Sequence, residues 1–524
     1  MQEITATHRR HVVRSANGDR PGPLPIWHRL AVTPAAPVRT QRPLPAPEAL
    51  RRAMAVVGLA TGGAAPGTRA APSAGGIYPY ELHLLVREKA GPPVLYRVDP
   101  AARTIELIPV AAATVPGSAT GTDPGPDDGP GSDSDDSPDP EDGPDPNDGP
   151  DSGYEAARHA VPAHGALVVL AARPWLSMRK YGDRGYLYTQ LDTAHAAAAL
   201  GLAAAALGVP HQVRQRPDTR LWRGLLGEAL DTREVHSTVV FRLPAAGPAP
   251  WNWELYEAPL PASRAPQWLE RANWDALGLP DDGPAATADA TALPSPDRSA
   301  PNPLPTPEPA PTPAPIPTPG ESREPRAPLP PVTPQTIAAR RSASSFVGAP
   351  LPPGALRRVL DRLRTPPATD LPADGTPLGV TLLLLDDTAD PQAPPGTPEV
   401  AVRRSAHTGR DRIEDAFLGQ AQLCGARAVV LFHAPSAALT DRDAGPLREA
   451  AFRAGFLGQL VYLGATEADA GVTGVGGFDS ARWRELAGLP AGHEVVYLVA
   501  LGTAGHPAGG KLDRAEPAYA HGER

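Results

Sequence analysis

Pro43-Leu44-Pro45, followed by Ala49-Leu50-Arg51-Arg52, returns later in the chain as Pro350-Leu351-Pro352 followed by Ala355-Leu356-Arg357-Arg358. A second pair of words keeps the same order: Trp222-Arg223-Gly224-Leu225-Leu226-Gly227 and Trp483-Arg484-Glu485-Leu486-Ala487-Gly488. Ahead of each Trp lies an Ala/Leu-rich helical stretch, about Tyr188–Leu207 and Leu447–Leu463, and behind it a β-rich run, Val235–Leu243 and Val495–Leu501. Further strands are expected at Glu81–Val86, Ala166–Ala171, Val380–Leu385 and Ala428–Phe432. Shared words in a shared order read as an internal repeat. The chain is therefore expected to hold two copies of one mixed α+β arrangement, in residues 25–275 and 335–510.

The remainder of the 524 residues reads differently. Gly (51) and Pro (69) are abundant and aromatic residues make up 5%, so part of the chain is expected to stay outside any core. Residues 115–152 hold eleven Asp and one Glu with no Lys or Arg, an insert whose charges repel and whose apolar content offsets little ordering entropy. Its Asp spacing lacks the closing Glu of a calcium loop. Residues 279–334 are Pro-rich and read as a stiff, extended linker, and residues 1–24 and 511–524 read as tails. The net charge is −9, of which the insert contributes −12, so the rest carries about +3 and shows no basic run of the kind nucleic acid requires. The single Cys424 excludes a disulfide framework and a Cys-based zinc site, and no metal ligand set is expected. Met1–Val13 carries charges and no apolar run, and Ala196–Val209 is too short and too rich in small residues for a membrane span, so a cytoplasmic protein is expected.

Four strings carry chemistry. Ala71-Pro72-Ser73-Ala74-Gly75-Gly76-Ile77-Tyr78-Pro79-Tyr80-Glu81 runs into a strand, with small residues that let backbone approach a flat ligand. Arg179-Lys180-Tyr181-Gly182-Asp183-Arg184-Gly185-Tyr186-Leu187-Tyr188 precedes Leu191-Asp192-Thr193-Ala194-His195. Of 49 basic residues only Lys89, Lys180 and Lys511 are Lys, so a Lys here is a choice rather than a default surface cation. His195 reads as a helix-face residue rather than a base. Arg340-Arg341-Ser342-Ala343-Ser344-Ser345-Phe346 offers a guanidinium fork and a hydroxyl suited to phosphate. Gly471-Val472-Thr473-Gly474-Val475-Gly476-Gly477-Phe478-Asp479 is a Gly-rich turn.

Together these strings resemble the nitroreductase superfamily, in particular its SagB/ThcOx-type FMN-dependent azoline dehydrogenases. The resemblance implies two tandem nitroreductase-like domains, each a mostly antiparallel sheet flanked by helices, fused into a pseudo-dimer. It implies FMN held by Pro72, Ser73, Ala74, Gly75 and Gly76 from the first half and by Arg340, Ser342, Gly476 and Gly477 from the second. Position 344 departs from the family pattern, with Ser where a second cation is usual. Lys180 and Tyr181 would be the catalytic pair, taking a ring proton while the flavin accepts hydride and O2 reoxidises it. The substrate would be an azoline-bearing precursor peptide in azole-containing or thiopeptide natural product biosynthesis, and the partner a YcaO-type cyclodehydratase complex. An NAD(P)H-dependent reductase of small aromatics and a flavin-less peptide-binding scaffold stay open beside it.

The halves do not carry the same strings. Counting back from Pro43 gives Thr33-Pro34-Ala35 where the second half has its Arg-Arg-Ser element, and counting back from Trp222 places Gln215-Arg216 at the Gly476-Gly477 positions. The second half in turn has neither the Ser-Ala-Gly-Gly string nor the Lys-Tyr pair. One composite site per chain is expected, with its symmetry mate abandoned.

Overall fold

Every residue of the strand Gly165–Ala172 is buried, and so are 20 of the 23 residues in the helix Arg184–Ala206. Neither element alternates between a wet and a dry face, so each has to be covered on all sides, and the fold is arranged around that need. The computed structural model describes residues 42–62, 69–88, 92–108, 160–181, 184–215, 222, 233–248, 251–257, 330–364, 366, 369–371, 375–385, 400–405, 409–439, 445–505 and 510–511. The acidic tract, the N-terminal residues 1–24 and residues 279–329 of the Pro-rich tract lie outside the described residues. The described residues of both repeats, 42–257 and 331–511, belong to one compact unit.

In chain order the first half runs α1 (Glu48–Thr61), β1 (Tyr80–Arg87), β2 (Val94–Asp99), β3 (Thr104–Ile108), β4 (Gly165–Ala172), α2 (Pro174–Tyr181), α3 (Arg184–Ala206), β5 (His211–Arg214), β6 (Glu234–Arg242) and β7 (Glu254–Glu257). The second runs α4 (Pro334–Ala339), β8 (Ser342–Ala343), α5 (Ala355–Leu363), β9 (Gly379–Leu384), β10 (Val400–Arg404), α6 (Arg410–Ala416), β11 (Ala428–Pro435), α7 (Gly445–Glu467), β12 (Gly471–Val475), α8 (Ser480–Leu486), β13 (His493–Gly502) and β14 (Gly510–Lys511), with a single helical turn at Ser436–Leu439. Pro334, read as the end of the linker, instead opens α4, where its missing N–H costs nothing and Thr333 caps the helix by accepting from the Thr336 amide. Lys511, read as tail, pairs opposite Ser342 in the β14–β8 ladder.

The repeat is visible in the sheets. One is ordered β5-β6-β4-β1-β2-β3-β7 and the other β12-β13-β11-β9-β10, so their first four strands correspond, and all three junctions among those four are antiparallel in both. Both central junctions also carry a register shift, at Leu170/Ala171 and at Phe432/His433. The copies part company beyond β1 and β9: β2 lies antiparallel to β1, whereas β10 lies parallel to β9.

A single hydrophobic core joins the halves, with Leu50, Leu84, Val168 and Leu200 of the first continuous with Leu360, Phe432, Leu460 and Val499 of the second. Its centre is the packing of α3 on α7. A Cβ placed on Gly455 of α7 would stand 2.5 Å from the Leu191 carbonyl oxygen and 2.8 Å from Ala194 Cβ, so the helices meet at backbone distance there. A polar clamp lies beside this crossing. Tyr186 Oη donates to Glu234 at 2.9 Å, Gln190 Nε2 donates to it at 2.9 Å, and Arg448 of α7 donates to Tyr186 Oη at 2.7 Å and to Glu234 at 3.1 Å. Glu234 thereby stays compensated although buried. We expect Gly455→Ala to cost about 1–3 kcal/mol through overpacking against backbone that has no rotamer to yield. Gly492→Ala, which meets open space, should stay within about 0.5 kcal/mol of wild type. Denaturant unfolding compares the two, and equal midpoints would contradict the close crossing.

Candidate functional site

A cavity of about 530 Å³ opens where the halves meet. The first half lines it with Pro72, Ser73 and Ala74, with Tyr181 of α2, and with Tyr188, Leu191, Asp192 and His195 of α3. The second half lines it with Ser342, Ala343 and Ser344, with Leu418, Gln420, Gln422 and Leu423 from the segment after α6, with Tyr462 of α7, with Thr473 to Gly477, and with Tyr497 of β13.

The loop ahead of β1 is held by α3. Ser73 is extended and buried, and a short 3-10 turn follows at Ala74–Gly76. Ser73 Oγ donates to Asp192 at 2.6 Å and accepts from the Tyr78 amide at 2.8 Å, while the Ala74 amide donates to Asp192 at 3.0 Å. The hydroxyl that the string offers to a ligand is thus engaged with its own protein. Asp192, to which the sequence assigns no role, is the residue that fixes this loop. Gly75 and Gly76 complete the turn, and Gly76 is not among the described residues that line the cavity. Among the described lining residues Asp192 is the charged group.

Arg340 is fully buried and does not line the cavity. Its Nε donates to the Ala70 carbonyl, Nη2 to the Arg69 carbonyl at 2.9 Å and Nη1 to Ser342 Oγ at 3.4 Å, and the guanidinium lies 5.0 Å from the centroid of the Tyr462 ring. A buried cation of this kind needs fixed dipoles around it, and the loop of the other half supplies the carbonyls. Its positive charge therefore sits directly behind Ser342. Tyr462 Oη accepts from the Gly474 amide at 2.6 Å and meets Ser342 Oγ at 3.1 Å.

The Gly-rich string forms one wall of the cavity from backbone. The Gly476 carbonyl accepts from Tyr188 Oη, the Gly477 carbonyl accepts from Gln420 Nε2 at 2.6 Å, and a Cβ on Gly476 would come within 2.8 Å of the Tyr188 ring. At Gly474 an added Cβ would collide with the Tyr497 hydroxyl. Tyr181 stands half-buried, its ring edge-on to Tyr188 at 5.0 Å, and Lys180 precedes it in α2. Burial raises the pKa of Tyr188, so its hydroxyl keeps its proton and donates it. Tyr188 closes a string singled out in the sequence but has no role assigned there, and Tyr462, Gln420 and Tyr497 lie outside the four strings. Their side chains act on partners distant in sequence, which leaves no local signature.

The equivalent place on the other side of the molecule is built differently. Gln215 follows β5 as Gly476 follows β12, and its amide donates to Asp370 at 2.7 Å, while Val213 pairs with Thr369. On α7, Glu449 accepts from the Thr376 amide at 2.9 Å and Arg453 donates to the Thr376 carbonyl at 2.9 Å. Chain of the second half thus packs directly onto the strand that would wall a second cavity. Among the described residues no helix is long and apolar enough to cross a membrane, and no group of His, Cys, Asp and Glu is arranged to hold a metal ion. Because two charge-assisted bonds hold the Ser73 loop, Asp192→Ala should speed amide exchange at Ala74 and Tyr78 by about tenfold or more. Unchanged exchange at both amides would remove Asp192 from the loop's anchoring.

The family model described as the nitroreductase family matches residues 40–234 and 337–503, together more than half of the chain. No curated protein matches. Among solved structures, a putative nitroreductase from Anabaena variabilis is 18% identical and aligns over 96% of this chain and 100% of its own, with a TM-score of 0.55, which extends the likeness in fold across both halves. Nitroreductase A from Vibrio parahaemolyticus is 18% identical over 34% of this chain and 69% of its own, with a TM-score of 0.25. An NADPH:FMN oxidoreductase from Vibrio harveyi, solved with NAD+, is 17% identical over 33% of this chain and 69% of its own, with a TM-score of 0.24. With two regions matched by the family model and two corresponding sheets, the chain belongs to the nitroreductase family.

Proposed function

We propose that the protein is an FMN-dependent oxidoreductase that converts thiazoline or oxazoline rings of a ribosomally made peptide to thiazoles or oxazoles. The cavity suits the cofactor on its own features. Its volume lies in the range of small-molecule sites. One wall is glycine backbone that a planar ring can approach, and the others offer hydroxyls and amides from Ser342, Ser344, Gln420, Gln422 and Thr473. The buried Arg340 charge behind Ser342 favours an anionic phosphate at that end.

The observation that carries the reading is Tyr181 on the cavity wall with Lys180 beside it in α2. Ring aromatisation removes a proton from one carbon and a hydride from its neighbour, and bound FMN supplies the hydride acceptor. Lys180 Nζ or Tyr181 Oη takes the proton, since an amine or a phenol next to the reacting carbon is a competent base once its pKa is tuned. Tyr188 holds the Tyr181 ring edge-on, and the Asp192-anchored loop lines the same cavity. An azoline precursor peptide and a YcaO-type cyclodehydratase that makes its rings are the partners this reading requires.

Mass spectrometry of an azoline-bearing peptide incubated with the protein and FMN should show loss of two hydrogens per ring. Rapid NAD(P)H oxidation with an unchanged peptide would favour the small-aromatic reductase instead. Lys180→Ala should keep its flavin and lose about a hundredfold or more in azole formation; full activity would remove Lys180 from the mechanism.

A further inference from the structure

His195 lies on α3, buried, and faces the second half. Its Nδ1 is 3.1 Å from Gln459 Oε1 and its Nε2 is 3.0 Å from Tyr497 Oη. Gln459 Nε2 donates to the Ala70 carbonyl at 3.4 Å, which turns the amide oxygen toward the imidazole. An amide oxygen accepts and never donates, so Nδ1 carries the ring proton. Burial, with a smaller push from Arg340, lowers the His195 pKa to about 3, and the ring stays neutral with a lone pair on Nε2. Tyr497 is therefore the donor in the remaining bond. Each direction follows from the one before it: Gln459 to Ala70, His195 to Gln459, Tyr497 to His195.

A phenol whose proton is committed in this way turns oxygen lone pairs, and not a hydrogen, toward its other neighbours. Tyr497 and His195 both line the cavity. Gly458 leaves them room, since a Cβ there would stand 2.7 Å from Tyr497 Cε1 and 3.0 Å from His195 Cε1. The rings pack edge to face, with centroids 5.6 Å apart, so the pair is rigid.

We propose that Tyr497 is a ligand-binding residue that accepts a hydrogen bond from an N–H edge of the planar heteroaromatic group in the cavity, and that His195 is the positioning residue that fixes its polarity. The inference rests on the FMN reading of the site, since the isoalloxazine ring carries such an N–H. It assigns a role to Tyr497, which lies outside the four strings, and to His195, read from sequence as a helix-face residue, and it makes the cofactor's ring end depend on a chain of bonds that crosses between the halves.

The test is titration of the full-length apoprotein with FMN, following the Kd and the visible absorption band of the bound flavin, with the thermal midpoint of each apoprotein as control. Tyr497→Phe is expected to weaken binding about tenfold, as for one hydrogen bond, and to move the absorption band, with a thermal midpoint close to wild type. Should that variant not fold, His195→Leu and His195→Gln give the same reading: Leu weakens binding, while Gln, which keeps an acceptor for Tyr497 and a donor for Gln459, restores most of it. Wild-type binding with unchanged Kd and band in Tyr497→Phe, or in His195→Leu, would overturn the inference alone. A wild-type protein that takes up no FMN would overturn the reading of the site, and this inference with it.

Discussion

The approach of α3 to α7 at Gly455 sets the geometry on which everything else depends. Each helix is buried on nearly every side, so neither half can cover its own long helix, and each completes the other's core. Bringing two backbones to contact at Leu191 and Gly455 also brings their flanking residues together. Asp192 and His195 sit one and four residues beyond Leu191, and Gln459 and Tyr462 sit four and seven beyond Gly455. The same crossing that buries apolar area therefore builds the cavity wall, and stability and site are one construction.

The division of labour between the copies follows from this. A symmetric pair would make two cavities. Here Gln215 stands where Gly476 would be needed, and Thr369 and Asp370 pair onto β5 and its end. On the retained side, Arg340 gives its donors to the Arg69 and Ala70 carbonyls of the other half, so the cation that the motif promised to a phosphate is also the clasp that closes the interface. On the other side the described residues around Gln215 are taken up in packing, and the clasp makes the cavity dependent on both halves.

Much of this arrangement was legible in the sequence, and the exceptions have a common cause. Small residues betray a close approach wherever they occur, so the Ser73 and Gly476 strings stood out, as did the shared element order of the two copies. The roles of Asp192, Gln420, Tyr462 and Tyr497 are set by partners far away along the chain, and no local pattern records them. Arg340 was readable as a cation near the site but not as a buried clasp, because its partners are bare carbonyls that any residue supplies. Strand direction at the sheet edge was equally hidden: β2 and β10 differ in sense although β1 and β9 correspond.

The most direct measurement is the cofactor content of the gently purified full-length chain, flavin absorbance against protein by amino-acid analysis. A cavity made jointly by unlike halves, without a glycine-walled counterpart among the described residues, predicts one FMN per chain. Two would mean that the second side can still hold a flavin, and none after incubation with excess FMN would mean that the shared cavity serves another ligand; either would contradict the account.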